Sequence, residues 1–249
     1  YRAFSTVLGD CADSPSSVFS YGAIDERLPA LVESLNEDPV TIELENGQMV
    51  TVDGGVFLEA LFVALYSADS IPYVPYFMRA AEHRDLEPLS WAIALNMEAG
   101  SSTAWGARHS MECREEIAFD SYESALANAA GIPEPIADYF TSSYLFDLCD
   151  AWGIAPADAS QTEPVASDVP ALVFAGRYDP VTPPEWGQMA AETLSSSYYY
   201  EFPNLGHGVM RADPCAFAIG MAFIDDPTTE PDTSCMDLLG VPDFAAFTY

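Results

Sequence analysis

The sequence contains no lysine, three histidines and eight basic residues in all, against thirty-nine acidic ones, for a formal net charge of -31. A surface this negative repels phosphate, which excludes nucleic acid and anionic membrane as partners. Disorder is the other common reading of high net charge. It is excluded by an apolar content of 49% and an aromatic content of 12%. What is left is a heavily hydrated acidic surface suited to solubility. A high-salt habitat would suit it too, because dense counterions screen self-repulsion. No run of about 18 apolar residues occurs, so no membrane span is expected. The opening residues, YRAFSTVLGD, lack both the basic start and the apolar centre of a signal peptide. They do not begin on methionine either, and the chain is expected to begin inside something longer.

Cysteine is sparse: Cys11, Cys113, Cys149, Cys215 and Cys235. None has CxxC or other metal-like spacing, so neither a metal site nor a cofactor is expected. Cys215 opens an apolar helical pattern and Cys235 follows the loop DPTTEPDTS; a bridge between them would pin the C-terminal tail to the body. Cys113 and Cys149 could pair likewise, leaving Cys11 over. Five buried thiols are the alternative. Bridges would place the protein outside the cytoplasm, secreted or periplasmic.

Hydrophobic periodicity supplies the elements. Residues 22–36 carry Leu28, Leu31, Val32 and Leu35 at helical spacing. The stretch PVTIELENGQMVTVDGG places alternating β-formers on either side of Asn46-Gly47, the signal of a two-residue hairpin. Residues 55–68, 72–83 and 86–97 read as helices; the first is apolar almost all round and is expected inside a helical group. GSSTAWGARHS reads as a loop and SMECREEIAF as a short strand. Residues 120–130 and 133–146 read as helices again. Around 153–168 the chain becomes a polar, proline-containing connector. After it comes a strand within 170–176, a helix over 183–195, a strand over 197–202 and a helix over 213–224. That βαβα order implies parallel strands with covering helices.

The loop after the first of these strands holds Asp179, and the loop after the second holds His207 between Gly206 and Gly208. In a parallel α/β sheet, ligands and catalysis gather at the carboxyl ends of the strands. Asp179 and His207 should therefore emerge on one edge. A carboxylate on one imidazole nitrogen fixes the tautomer, and the other nitrogen takes a proton from a serine. Flanking glycines let the backbone turn sharply beside the ring.

The stretch GRYDPVTPPEWGQMAAETL…NLGHGVMRADPC…SC resembles the C-terminal part of α/β-hydrolase peptidases related to tripeptidyl aminopeptidases and proline iminopeptidases. Those show a G-x-x-D-x-x-T-P segment, a G-H-G segment and two later cysteines. HSMECREEIAFDS is similar to their S-V-x-C-x-E-D-x-P-F stretch, and YRAFSTVLGDC, DPVTIEL…VALYS and IPYVPYFMRAAEHRDLEPL to their helical cap. The resemblance implies an α/β fold made of the cap with its hairpin (residues 1–152), the connector (153–168) and the last two parallel β–α units (169–249). It implies Asp179 as triad acid, His207 as general base and Cys215–Cys235 as a disulfide. Glu115 and Glu116 fall where the family has acids near the cap, able to hold a substrate's free amino group. The fold carries its serine in a G-x-S-x-G elbow upstream of the acid and the base. No such motif occurs here; Gly100-Ser-Ser-Thr-Ala104 fails at its fifth position. The expected partners are thus a peptide or small acyl substrate and a second chain, or missing upstream segment, carrying the nucleophile. An esterase and an inactive binding or assembly subunit are the other readings.

Overall fold

A computed structural model describes residues 1–15 and 21–244. Residues 16–20 and 245–249, which the expected divisions 1–152 and 169–249 include, lie outside the described residues. The first element, α1 (Arg2–Asp13), buries Ala3, Phe4, Val7, Leu8 and Cys11, a stripe at three- and four-residue spacing. Helix α2 (Leu28–Glu37) buries Leu28, Leu31, Val32 and Leu35 in the same manner. The hairpin follows, with β1 (Val40–Glu43) antiparallel to β2 (Met49–Val52). Its loop is one residue longer than the Asn-Gly signal suggests. Leu44 donates to the Gln48 carbonyl at 2.8 Å, leaving three residues between them, and Gly47 sits at φ +81°. A three-residue loop closed by a left-handed glycine is the next most favoured hairpin connection.

Asp53 then caps α3 (Gly54–Ala64), its Oδ1 accepting from the Val56 amide at 2.9 Å. This helix buries Phe57, Leu58, Ala60, Leu61 and Ala64 and packs between α2 and α5 (Ser90–Ser102). Between them lies α4 (Val74–Glu82), against α1, α2 and α3. Four further helices follow among the described residues: α6 (Trp105–Glu115), α7 (Tyr122–Asn128), α8 (Glu134–Phe140), which packs on α2, and α9 (Tyr144–Trp152), which packs on α6.

Three sequence expectations are corrected here. The loop expected over 100–110 is mostly helix, because Ser101 and Ser102 turn their hydroxyls back onto the Glu98 and Ala99 carbonyls inside α5. The strand expected from SMECREEIAF is the second half of α6 followed by a 3₁₀ turn (Ile117–Phe119), and Arg108 and His109 reach Glu112 within α6 at i,i+4 and i,i+3 spacing. The single helix expected over 133–146 is split into α8 and α9. Thr141, Ser142 and Ser143 interrupt it, with side chains that compete for backbone partners.

Beyond the connector, β3 (Ala171–Gly176) pairs in parallel with β4 (Ser197–Phe202), Ala171 opposite Ser197 and Gly176 opposite Phe202. Helix α10 (Pro184–Glu192) packs on both strands. After β4 come the short α11 (Val209–Ala212) and α12 (Pro214–Asp225), which Asp213 caps through the Cys215 amide at 2.7 Å. Cys113 is bonded to Cys149, tying α6 to α9, and Cys215 to Cys235, tying α12 to the tail. Cys11 is buried in α1 and takes part in neither bridge. This is the helical cap with its hairpin and the last two parallel β–α units of an α/β-hydrolase fold.

Candidate active site

Residues 177–183 leave the end of β3 and residues 203–208 the end of β4; the two loops are stitched together. The Arg177 amide donates to the Phe202 carbonyl, and the Tyr178 amide to the Leu205 carbonyl, each at 3.0 Å. Asp179 is buried, with 3% of its surface exposed. Its Oδ1 accepts from the amides of Val181 at 2.7 Å and Thr182 at 2.9 Å, and its Oδ2 accepts from the Thr182 hydroxyl at 2.8 Å. His207 Nδ1 lies 3.0 Å from Oδ2 and 3.2 Å from Oδ1. A carboxylate can only accept, so a neutral imidazole facing it through Nδ1 donates from that nitrogen. That leaves the Nε2 lone pair on the other side of the ring as a proton acceptor.

The two glycines around His207 have separate reasons. A side chain at Gly206 would run into the backbone carbonyl of Leu65, just past the end of α3. Gly208 holds φ +82°, a left-handed conformation that turns the chain into α11. The same close approach puts Tyr66 against the imidazole, ring centres 5.2 Å apart and planes inclined at 67°. Burial raises the Tyr66 phenol above its ordinary value; the Asp179 charge adds to this and Arg108 opposes it. Tyr66 therefore stays a neutral, amphipathic edge of the site. Next to it opens a recess of about 310 Å³ lined by Phe62, Val63, Tyr66, Ser67, Trp91 and Leu95. Neither this recess nor a larger one of about 440 Å³ around Asp53, Glu59 and Asp138 is lined by Asp179 or His207; Asp179 lines a smaller one of about 230 Å³ with Arg2, Phe4 and Phe62.

The other expected site residues sit elsewhere. Glu115 is half-buried at the end of α6 and Glu116 is exposed just beyond it. Neither is among the hydrogen-bond partners of Asp179 or His207. The acid of that helix with firm partners is Glu112, which accepts from Arg108 Nε at 2.7 Å and His109 Nδ1 at 2.9 Å. Burial works to raise Glu112, but these two bonds outweigh it, and the carboxyl lies below its ordinary value. Among the described residues no group of three or more His, Cys, Asp or Glu is placed to hold a metal ion. Nor is any helix among them long and apolar enough to cross a membrane. Sequence reasoning missed Thr182 and Tyr66. Thr182 stood inside the aspartate motif and could have been found there. Tyr66 gave no signal, because only the packing of α3 against the histidine loop brings it close.

Residues 134–235 match an α/β-hydrolase family described as TAP-like protein. The matched segment runs from the start of α8 through both strands and both loops to Cys235. No curated protein and no solved structure matches the chain. The match and the fold together support an α/β-hydrolase, and hydrolysis as its class of chemistry.

Proposed function

We propose that the chain supplies the acid and base of a serine hydrolase, and that the enzyme is an exopeptidase releasing N-terminal residues or short peptides. The observation that carries this reading is the Asp179–His207 bond of 3.0 Å at the carboxyl edge of a parallel sheet. In the proposed reaction, His207 Nε2 takes the hydroxyl proton of a serine as its oxygen attacks the scissile carbonyl. Asp179 holds the ring through Nδ1 and stabilises the imidazolium that forms. The proton then passes to the leaving amine, and water, activated by the same nitrogen, releases the acyl group. The serine is proposed to come from an upstream segment or a second chain, since no G-x-S-x-G elbow occurs in the sequence. A half-buried parallel sheet supports this, because such sheets are ordinarily covered on both faces.

The recess beside Tyr66 is the proposed seat for an apolar part of the substrate. Its apolar lining also gives the esterase alternative its one specific support. The two disulfides suit a secreted or periplasmic location. Fluorophosphonate labelling of native material tests the reading. The expected result is an adduct on a serine of the polypeptide that carries the upstream half, lost with His207→Ala. Asp179→Asn should lower turnover by about 10⁴-fold. An intact complex with no adduct would favour an inactive binding subunit instead. Comparing aminoacyl amides with simple acyl esters separates peptidase from esterase.

A further inference from the structure

We infer that α1 is a latch on the acid loop, with Arg2 and Asp10 as positioning residues that hold Asp179 at the distance His207 requires. The inference rests on the reading of Asp179 and His207 as acid and base. Three consecutive residues of the loop are each tied to this one helix. The Arg2 guanidinium donates from Nη1 to the Arg177 carbonyl at 2.9 Å and from Nη2 to the carbonyl of Asp179 itself. Two turns further along α1, Asp10 accepts from Arg177 Nε at 2.8 Å and Nη2 at 2.9 Å, a bidentate pair. The Tyr178 hydroxyl donates to the same Asp10 carboxylate at 2.9 Å. Tyr178 has no exposed surface, and its side chain is packed in the core of the cap, not in the smaller core beneath the strands. Arg2 Nε also lies 3.9 Å from Glu185 at the start of α10.

The acid loop is thus threaded from the sheet into the cap and gripped at the two residues before the one that carries the carboxylate and at that residue's own carbonyl. The second grip falls on the main chain of residue 179, whose side chain must stay within hydrogen-bond range of a ring on another loop. A shift of α1 relative to the strands moves that carbonyl directly. Misplacement of a reacting group by about 1 Å can cost on the order of 100-fold in rate. The position of α1 and the placement of the histidine's acid partner are coupled through these contacts. The groups facing His207 are Asp179 and Thr182 on the acid loop and Tyr66 beyond α3, with Arg108 of α6 acting on Tyr66.

The test reads the ring itself, without serine or substrate. With only three histidines in the chain, ¹⁵N imidazole spectra of the full protein are assigned by single His→Gln variants. His207 is expected as the Nδ1–H tautomer. Arg2→Gln and Asp10→Asn should each cut that tautomer fraction by half or more, while the His83 and His109 signals stay in place. Arg79→Gln, which removes a surface pair with Glu82 in the cap, should leave His207 unchanged. Should Asp10→Asn not fold, Tyr178→Phe removes one bond to the same carboxylate and keeps the buried ring. Folded Arg2→Gln and Tyr178→Phe proteins that both keep the wild-type His207 tautomer would overturn the latch. Absence of the Nδ1–H tautomer in the wild type would sink the Asp–His reading first. Absence of hydrolysis with the tautomer response intact would leave the latch standing and remove only the enzyme.

Discussion

The helical region and the strand region bury their side chains to different depths. In the first, Phe57, Leu58, Leu61, Leu65 and Ile71 have no exposed surface, and helices from α1 to α5 share one core with them. In the second, four of six residues of β3 and five of six of β4 are only half-buried. The core beneath the strands is Phe202, Leu205, Val209, Cys215, Ala216 and Ile219. Helices close their backbone hydrogen bonds within themselves and need only one apolar stripe covered. Parallel strands need neighbours on both edges and layers on both faces. The cap core is closed mostly by its own helices, with Tyr178 and Phe244 added from outside, whereas the sheet depends on a disulfide and on loops that reach into the cap. In the proposed enzyme, further strands would supply the rest.

Several measurements would break or sharpen this contrast. The largest effect is expected in the cap core: Phe57→Ala should cost about 3–5 kcal/mol in chemical denaturation, whereas Val173→Ala on half-buried β3 should cost a fraction of that. Equal losses would mean that β3 is packed as tightly as the cap core. Next is the Cys215–Cys235 bridge, whose 20-residue span corresponds to about 3 kcal/mol of chain entropy. Its removal is expected to loosen the strand region first, seen as amide exchange in β4 rising before that in α3. Gly208→Ala forces an alanine into φ +82° and should cost about 1–2 kcal/mol, together with a change in the His207 ring signals. The smallest effect is electrostatic. Glu112 lies below its ordinary value of 4.5 in the folded chain. Its contribution to stability is therefore complete above that value and is lost as pH falls through the lower folded one. Glu112→Gln should flatten the acid limb of a titration followed by the fluorescence of Trp105 and Trp152, whose rings flank His109. An unchanged acid limb would remove Glu112 from the account.

Much of this arrangement could be read from residue order. The spacing of Leu28, Leu31, Val32 and Leu35 marked α2, and 197–202 was legible as a strand to the residue. The aspartate before Pro180 and the histidine between glycines were singled out as a pair, and the loops do bring them within hydrogen-bond range. What could not be read was tertiary. The Leu65 carbonyl against Gly206, the ring of Tyr66 and the grip of Arg2 on residue 179 join segments far apart in sequence. No local pattern encodes such contacts. The hydroxyl residues of 101–102 and 141–143 misled in opposite directions, because a hydroxyl can bond back within a helix or end it. Glu115 and Glu116 were chosen by analogy of position; Glu112, one turn earlier, is the acid that gathers partners.

At position 206 the cap and the histidine loop meet main chain to main chain, with no side chain between them. A spacer without rotamers cannot yield by repacking. Thermal displacement of the end of α3 is therefore transmitted to the imidazole undamped, and the two segments should fluctuate in phase.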